Sequence, residues 1–277
     1  MRVAVCLHGL ARGSSTPAAG GYEEKFRTLL DLIGDSDTFI HCWDTDLEHS
    51  LIADFKPKSS IFEKQKNFQN ELSHFSRYNI FSQVWKNSPS QGDIFKTLSF
   101  LYSRKKSIDL KKQYEIDNRF KYDCVLTVRF DAFHHNNGKN ATSHVDFDPT
   151  RDMKYLYQAY WNQTDAGASD HWFYSNSETM DKVADLYDNL EDYLNPTSEY
   201  ASWCKNGFPL TDLNDELSNQ VLKPEKDRAK DLKKFTFNDI ILINNHVLYK
   251  YHFIKNDLWE DKSIFLNKHL FKNLHTT

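Results

Sequence analysis

No stretch of the 277-residue sequence reaches the roughly 18–20 apolar residues that a membrane-spanning helix requires. A helical membrane span is therefore not expected. The apolar run Val3 to Leu7, cut short by His8 and Gly9, is too brief for a secretory leader. Cysteine is sparse: Cys6, Cys42, Cys124 and Cys204 stand far apart with no C-x-x-C pair. No disulfide framework is indicated, and a reducing, cytoplasmic setting is the expectation. An excess of positive charge is missing too. Lys and Arg number 35 against 39 Asp and Glu, a formal net charge of −4, which argues against a generic nucleic-acid binder with its strongly basic footprint. A local cation cluster for a small anion stays compatible with that total. Internal repeats and low-complexity segments are also lacking.

Aromatic residues, by contrast, are plentiful: 20 Phe, 14 Tyr and 6 Trp. Rings among polar residues suit stacking on sugars or bases, and equally suit core packing. The chain opens with a strand, Arg2 to Leu7, that runs into His8-Gly9-Leu10-Ala11-Arg12-Gly13-Ser14-Ser15 and a second small-residue patch, Pro17 to Gly21. A strand, a Gly/Ser loop carrying Arg12, and a helix over Tyr22 to Ile33 form the usual opening of nucleotide-binding α/β domains, where small residues let backbone N–H groups approach phosphate. The spacing fits neither G-x-G-x-x-G nor G-x-x-x-x-G-K-[ST], so a plain strand–helix turn remains open.

A second strand spans Asp37 to Trp43 and ends in Asp44-Thr45-Asp46, a D-x-D that either meets a cation or caps a following turn. A short strand follows Lys56-Pro57-Lys58, and residues 63 to 85 are expected to be helical. Apolar residues at helical spacing predict a helix over Ile94 to Tyr114. It carries Lys96, Arg104, Lys105, Lys106, Lys111 and Lys112, either as a solvated basic face or as a source of cations for a diphosphate. The most informative stretch is Tyr122 to His135. Its apolar, β-branched run reads as a buried strand that delivers Arg129, Asp131, His134 and His135 at its C-terminal end, the edge where open α/β sheets bind ligands.

Beyond it, Tyr155 to Ala159 reads as a short strand, and the loop Asp165 to Asp170 presents two carboxylates before the aromatic strand Trp172 to Tyr174. Ser175 to Met180 opens a helix with a capping-box pattern, expected to run to Leu194. The remainder reads as a loop from Asn195 to Asp215, a charged helix from Pro224 to Lys234, a strand from Asp239 to Asn244, and a His/Tyr-rich segment from Asn245 to His252.

Four stretches in this order, Val3 to Arg12, Thr38 to Asp44, Tyr122 to Asp131 and Ser169 to Met180, resemble a family of glycosyltransferases with the GT-A, nucleotide-diphospho-sugar-binding fold. That family occurs in bacterial polysaccharide loci and in phages and large viruses. The resemblance spans about residues 1 to 195. It implies an α/β, Rossmann-type three-layer sandwich with a mostly parallel central sheet and an elaborated C-terminal part. The chain would then be a single domain over residues 1–277, with a nucleotide-sugar-binding half (1–135) and an acceptor-side half with its extension (136–277). A viral member would act in the host cytoplasm.

The resemblance places Asp131 at the last acid of the D-x-D that holds Mn²⁺ or Mg²⁺ and the sugar diphosphate, while Arg129 stands where the first acid would be. One carboxylate holds a divalent ion poorly, and an Arg supplies positive charge to phosphate directly. Either a metal keeps Asp131 with a ligand such as His246 or His252, or Arg129 reduces the dependence on metal. His8, Gly9, Arg12 and Ser14 would hold the nucleotide, and Arg104 would help with the diphosphate. Asp170 is the expected base for a glycan hydroxyl, with Asp165 in reserve; direct displacement with inversion follows from an Asp170 base. Trp161, Trp172 and Tyr174 are candidates for stacking on sugar faces. Two other readings stay open: a phosphate-cofactor transferase of sulfotransferase type, and a non-catalytic carbohydrate-binding module.

Overall fold

Alternate residues of Val3 to Gly9 face opposite sides of a strand, and those between the two ends are fully buried. Such a strand must be covered on both faces, which a central position in an α/β sheet provides. The computed structural model, which describes residues 1–11, 31, 34–75, 80–81, 91–130, 145–160, 167–205, 241–243 and 245–266, has this arrangement. In chain order its strands are β1 Val3–Gly9, β2 Asp37–Cys42, β3 Ser59–Phe62, β4 Ile80–Phe81, β5 Cys124–Arg129, β6 Leu156–Ala159, β7 Trp172–Ser175, β8 Ile241–Leu242 and β9 Ser263–Leu266. Its α-helices are α1 Glu48–Phe55, α2 Gln69–Phe75, α3 Gln91–Asn118, α4 Ser177–Ala184, α5 Leu190–Tyr193, α6 Glu199–Lys205 and α7 Asn245–Lys255. The helices expected over Tyr22 to Ile33 and Pro224 to Lys234 fall outside the described residues, but for Asp31.

Seven strands form one sheet in the order β3-β2-β1-β5-β7-β6-β9. The pairings from β3 through β5 are parallel, β7 is antiparallel to both β5 and β6, and β9 is parallel to β6. The fold is thus α/β with a mixed, mostly parallel sheet. The same sheet joins both halves of the chain, since Val125 to Val128 pair with Trp172 to Ser175. One face packs on α3, α4 and α7 through Leu98, Leu101, Ile108, Met180, Val183 and Phe253. The other carries Val5, Leu7, Leu126 and Val128 against Leu51 and Phe55 of α1. No helix among the described residues is long and apolar enough to cross a membrane.

Four expectations need correction. Among the described residues, the helix expected over residues 63 to 85 is limited to α2, and Ile80–Phe81 is a strand. The single helix from Ser175 to Leu194 is instead α4 followed by the separate short α5. Its cap is Asn176, whose Oδ1 accepts the Thr179 amide, because Ser175 Oγ is committed to the carbonyls of Met153 and Tyr155. Residues Asn245 to His252, read without a secondary structure, form most of α7, and α6 interrupts the loop expected from Asn195.

The basic helix α3 is not a uniformly solvated face. Arg104 and Lys111 are both fully buried. Lys111 Nζ donates to Asp181 Oδ1 at 2.6 Å, Ser177 Oγ at 2.7 Å and Glu115 Oε2 at 3.2 Å, clamping α3 to α4 beneath the sheet. Removing one partner of a buried pair strands the other charge, so Lys111→Ala is expected to cost about 3–5 kcal/mol in urea denaturation. A loss of about 1 kcal/mol or less, the scale of an exposed pair, would contradict the clamp.

Candidate functional site

The strand order supplies the location. The chain leaves β1, builds β2 and β3 on one side, then crosses to place β5 on the other, so the order reverses between β1 and β5. At the C-terminal ends of such neighbouring parallel strands a crevice opens that binds ligands in open α/β sheets. Register pairing aligns His41, His8 and Arg129 in one row across β2, β1 and β5, and side chains in a row share a face of the sheet. The Arg129 amide donates to the His171 carbonyl at 3.1 Å, which extends the row to the loop before β7.

Helix α3 lies over that row and sets its chemistry. Arg104 Nε donates to His8 Nε2 at 3.1 Å, and Nη2 donates to the Asp170 carbonyl. The guanidinium carbon sits 4.6 Å from the Phe100 ring centroid, 4.8 Å from Phe173 and 5.0 Å from Tyr249. Because His8 Nε2 accepts, its proton resides on Nδ1 and the ring is neutral. Burial, reinforced by Arg104, Arg129 and His41, holds the His8 pKa well below its ordinary value. His8 Nδ1 and Arg104 Nη1 are buried with no hydrogen-bond partner among the described residues. In this arrangement His8 and Arg104 act from behind the site rather than lining its surface.

Asp170 occupies the centre. Its side chain is 4% exposed, with Oδ1 3.3 Å from Arg129 Nη1 and Oδ2 accepting from Asn245 Nδ2 at 3.1 Å. Burial alone would raise its pKa, but His246, Arg129, His171 and Arg104 outweigh burial and hold the carboxylate well below the usual range. A carboxylate so stabilised takes a proton poorly. The base role expected of Asp170 therefore does not suit its surroundings; the group anchors Arg129 instead. The inversion expected from an Asp170 base loses its ground with that role. Arg129, 26% exposed, is more accessible than Asp170 at 4% or His171 at 18%.

The loop carrying Asp170 is fitted closely to α7. Ala168 N donates to the His246 carbonyl at 2.9 Å, and His246 Nδ1 lies 2.7 Å from the Ala168 carbonyl. A Cβ on Gly167 would stand 2.5 Å from the His246 carbonyl carbon, so only glycine permits the approach. Gly9 has φ +99°, with no described residue within 4 Å of where a Cβ would be, and its amide is spent on Ser103 Oγ at 2.8 Å rather than offered outward.

Other expected site residues are placed differently or lie elsewhere. Arg12, Ser14, Asp131, His134, His135, Trp161 and Asp165 fall outside the described residues. His252 does not fit a metal: it is buried in α7, with Nδ1 2.8 Å from Tyr193 Oη and Nε2 2.7 Å from the Lys182 carbonyl, so both ring nitrogens are committed. Among the described residues no three His, Cys, Asp or Glu side chains are grouped to hold a metal ion. Asp44 precedes a short 3-10 turn, Thr45–Leu47, without a side-chain capping bond. Trp172 and Tyr174 are fully buried and stack on each other, a packing role.

Asn245 and Tyr249 belong to the cluster but were invisible to sequence reasoning, because only tertiary closure brings α7 to the sheet edge. Arg104 did leave a signal. It falls on the same helical stripe as Ile94, Leu98, Leu101 and Ile108, all buried, and Lys111 continues that stripe.

Two stability measurements check this geometry. Gly167→Ala is expected to cost about 1–3 kcal/mol through the forced displacement of α7, read as a lowered Tm; an unchanged Tm would contradict the close fit. Burial depresses the His252 pKa from 6.5 to about 4, so the unfolded chain takes up that proton first as pH falls. Stability should drop by up to about 3 kcal/mol between those two pH values, and His252→Gln should remove that part of the slope in pH-dependent denaturation. Compared with protein-family models, with curated proteins and with solved structures, the chain has no match.

Proposed function

We propose that the chain is a GT-A-type glycosyltransferase that moves a sugar from a nucleotide-diphosphate donor to a hydroxyl of a glycan acceptor. The observation that carries this reading is the pair of guanidinium groups, Arg104 and Arg129, at the sheet edge where the strand order reverses between β1 and β5. Departure of a nucleoside diphosphate leaves negative charge that must be neutralised, and fixed positive groups in a water-poor site do this without reorganising. Arg129 is exposed enough to meet the diphosphate. Arg104 adds an enclosed positive charge behind it, and the Asp170 carboxylate keeps Arg129 aimed.

Asp131 follows Arg129 by two residues and is the acid that the resemblance assigns to the donor. With Asp170 committed to Arg129, Asp165 is the acid left to take the acceptor proton. His8 supports the reading indirectly, by fixing Arg104, and Gly9 by shaping the turn after β1.

The test is a thermal-shift panel of UDP- and GDP-sugars, each with and without Mn²⁺, on wild type and on Arg129→Ala. The reading expects at least one nucleotide sugar to raise the Tm of wild type, and Arg129→Ala to lose affinity by about tenfold or more, the scale of a charge-assisted hydrogen bond. Stabilisation by adenosine 3′,5′-bisphosphate without any response to nucleotide sugars would overturn it in favour of a sulfotransferase-like enzyme. Binding of glycans alone, indifferent to Arg129, would overturn it in favour of a binding module.

A further inference from the structure

Ser103, the neighbour of Arg104 on α3, joins a second buried chain of hydrogen bonds. Its Oγ accepts the Gly9 amide at 2.8 Å and lies 2.7 Å from His41 Nδ1, while His41 Nε2 is 2.9 Å from Glu63 Oε1. Proton accounting sets the direction. A carboxylate only accepts, so the ring proton sits on Nε2, and Nδ1 then offers a lone pair to the Ser103 hydroxyl. With its own proton placed there, Ser103 Oγ keeps lone pairs for the Gly9 amide. The longer alternative for that proton is the His41 carbonyl at 3.4 Å.

Ser103 and His41 are fully buried, whereas the Glu63 side chain is 39% exposed. Around His41 stand Trp43 at 4.7 Å and Tyr102 at 5.6 Å between ring centroids, and its charged or titratable neighbours are Glu63, Lys106 and His8. Burial keeps the ring neutral by lowering its pKa, with Glu63 pulling the other way.

We infer that Glu63, His41 and Ser103 are positioning residues that hold the Gly9 turn in place for the donor's diphosphate, Glu63 acting through the His41 tautomer. This inference rests on the transferase reading of the same site. Gly9, at φ +99°, has no side chain, and among the described residues no atom lies within 4 Å of a notional Cβ to restrain it by packing. Two hydrogen bonds do so instead: Gly9 N–H to Ser103 Oγ, and Trp43 N–H to the Gly9 carbonyl at 3.2 Å. Once Glu63 no longer fixes Nε2–H, the ring proton can move to Nδ1. Nδ1–H then donates to Ser103 Oγ, reverses that bond, turns the Ser103 proton toward the His41 carbonyl and makes the oxygen accept from Nδ1–H and the Gly9 amide together, which weakens the amide's bond.

The experiment compares wild type with Glu63→Ala and Glu63→Gln, the latter keeping an acceptor oxygen. Nitrogen-15 NMR reads the His41 tautomer and the Gly9 amide shift, and titration with UDP- and GDP-sugars reads donor affinity. In Glu63→Ala the fixed tautomer should be lost, the Gly9 amide should move upfield, and donor affinity should fall about fivefold, the equivalent of one hydrogen bond. Glu63→Gln should restore all three. An unmoved Gly9 amide, or unchanged donor affinity in Glu63→Ala, overturns the positioning role while donor binding by wild type keeps the transferase reading intact. If the network responds but wild type binds no nucleotide sugar, the transferase reading fails and this inference fails with it.

Discussion

The buried guanidinium of Arg104 is the constraint on which the site depends. A fully enclosed charge is tolerated only where hydrogen bonds and favourable fields replace its hydration. Arg104 finds them in three places: the lone pair of His8 on β1, the carbonyl of Asp170 before β7, and the faces of Phe100, Phe173 and Tyr249. Those partners come from α3, β1, β7, α7 and the loop that enters β7. Satisfying one cation therefore draws five segments to the same end of the sheet and fixes the protonation state of His8.

That arrangement inverts the roles assigned to two residue types. Arg104, in a helix rich in lysine, is an internal strut. Asp170, on a loop of small residues that looks open, is an anchor surrounded by positive groups, with α7 closed over it through Asn245 and His246. What faces outward is Arg129, whose guanidinium lies 3.3 Å from the Asp170 carboxylate and 5.3 Å from the Phe100 ring centroid. A guanidinium at a strand end suits a phosphate, which accepts bidentate hydrogen bonds.

Much of the scaffold was legible in the residues. The buried runs Val3 to Leu7, Thr38 to Cys42 and Cys124 to Val128 are apolar on both faces, which only interior parallel strands require, and their exits carry the histidines and Arg129 that form the row. Helix α7 was not legible. Residues Val247 to Phe253 are all buried, so no polar face marks a helical period. Strand β9 is only four residues long, below what alternation can signal. The three-segment chain Glu63–His41–Ser103 joins positions far apart in sequence, and nothing in local pattern distinguishes Ser103 from the other polar residues of α3.

The most direct test of the central claim is a crystal structure with a bound nucleoside diphosphate. The account predicts the diphosphate beyond the C-terminal ends of β1 and β5, with phosphate oxygens about 3 Å from the Arg129 guanidinium and Arg104 still bound to His8. A diphosphate found elsewhere on the molecule, with Arg129 still held by Asp170, would contradict it.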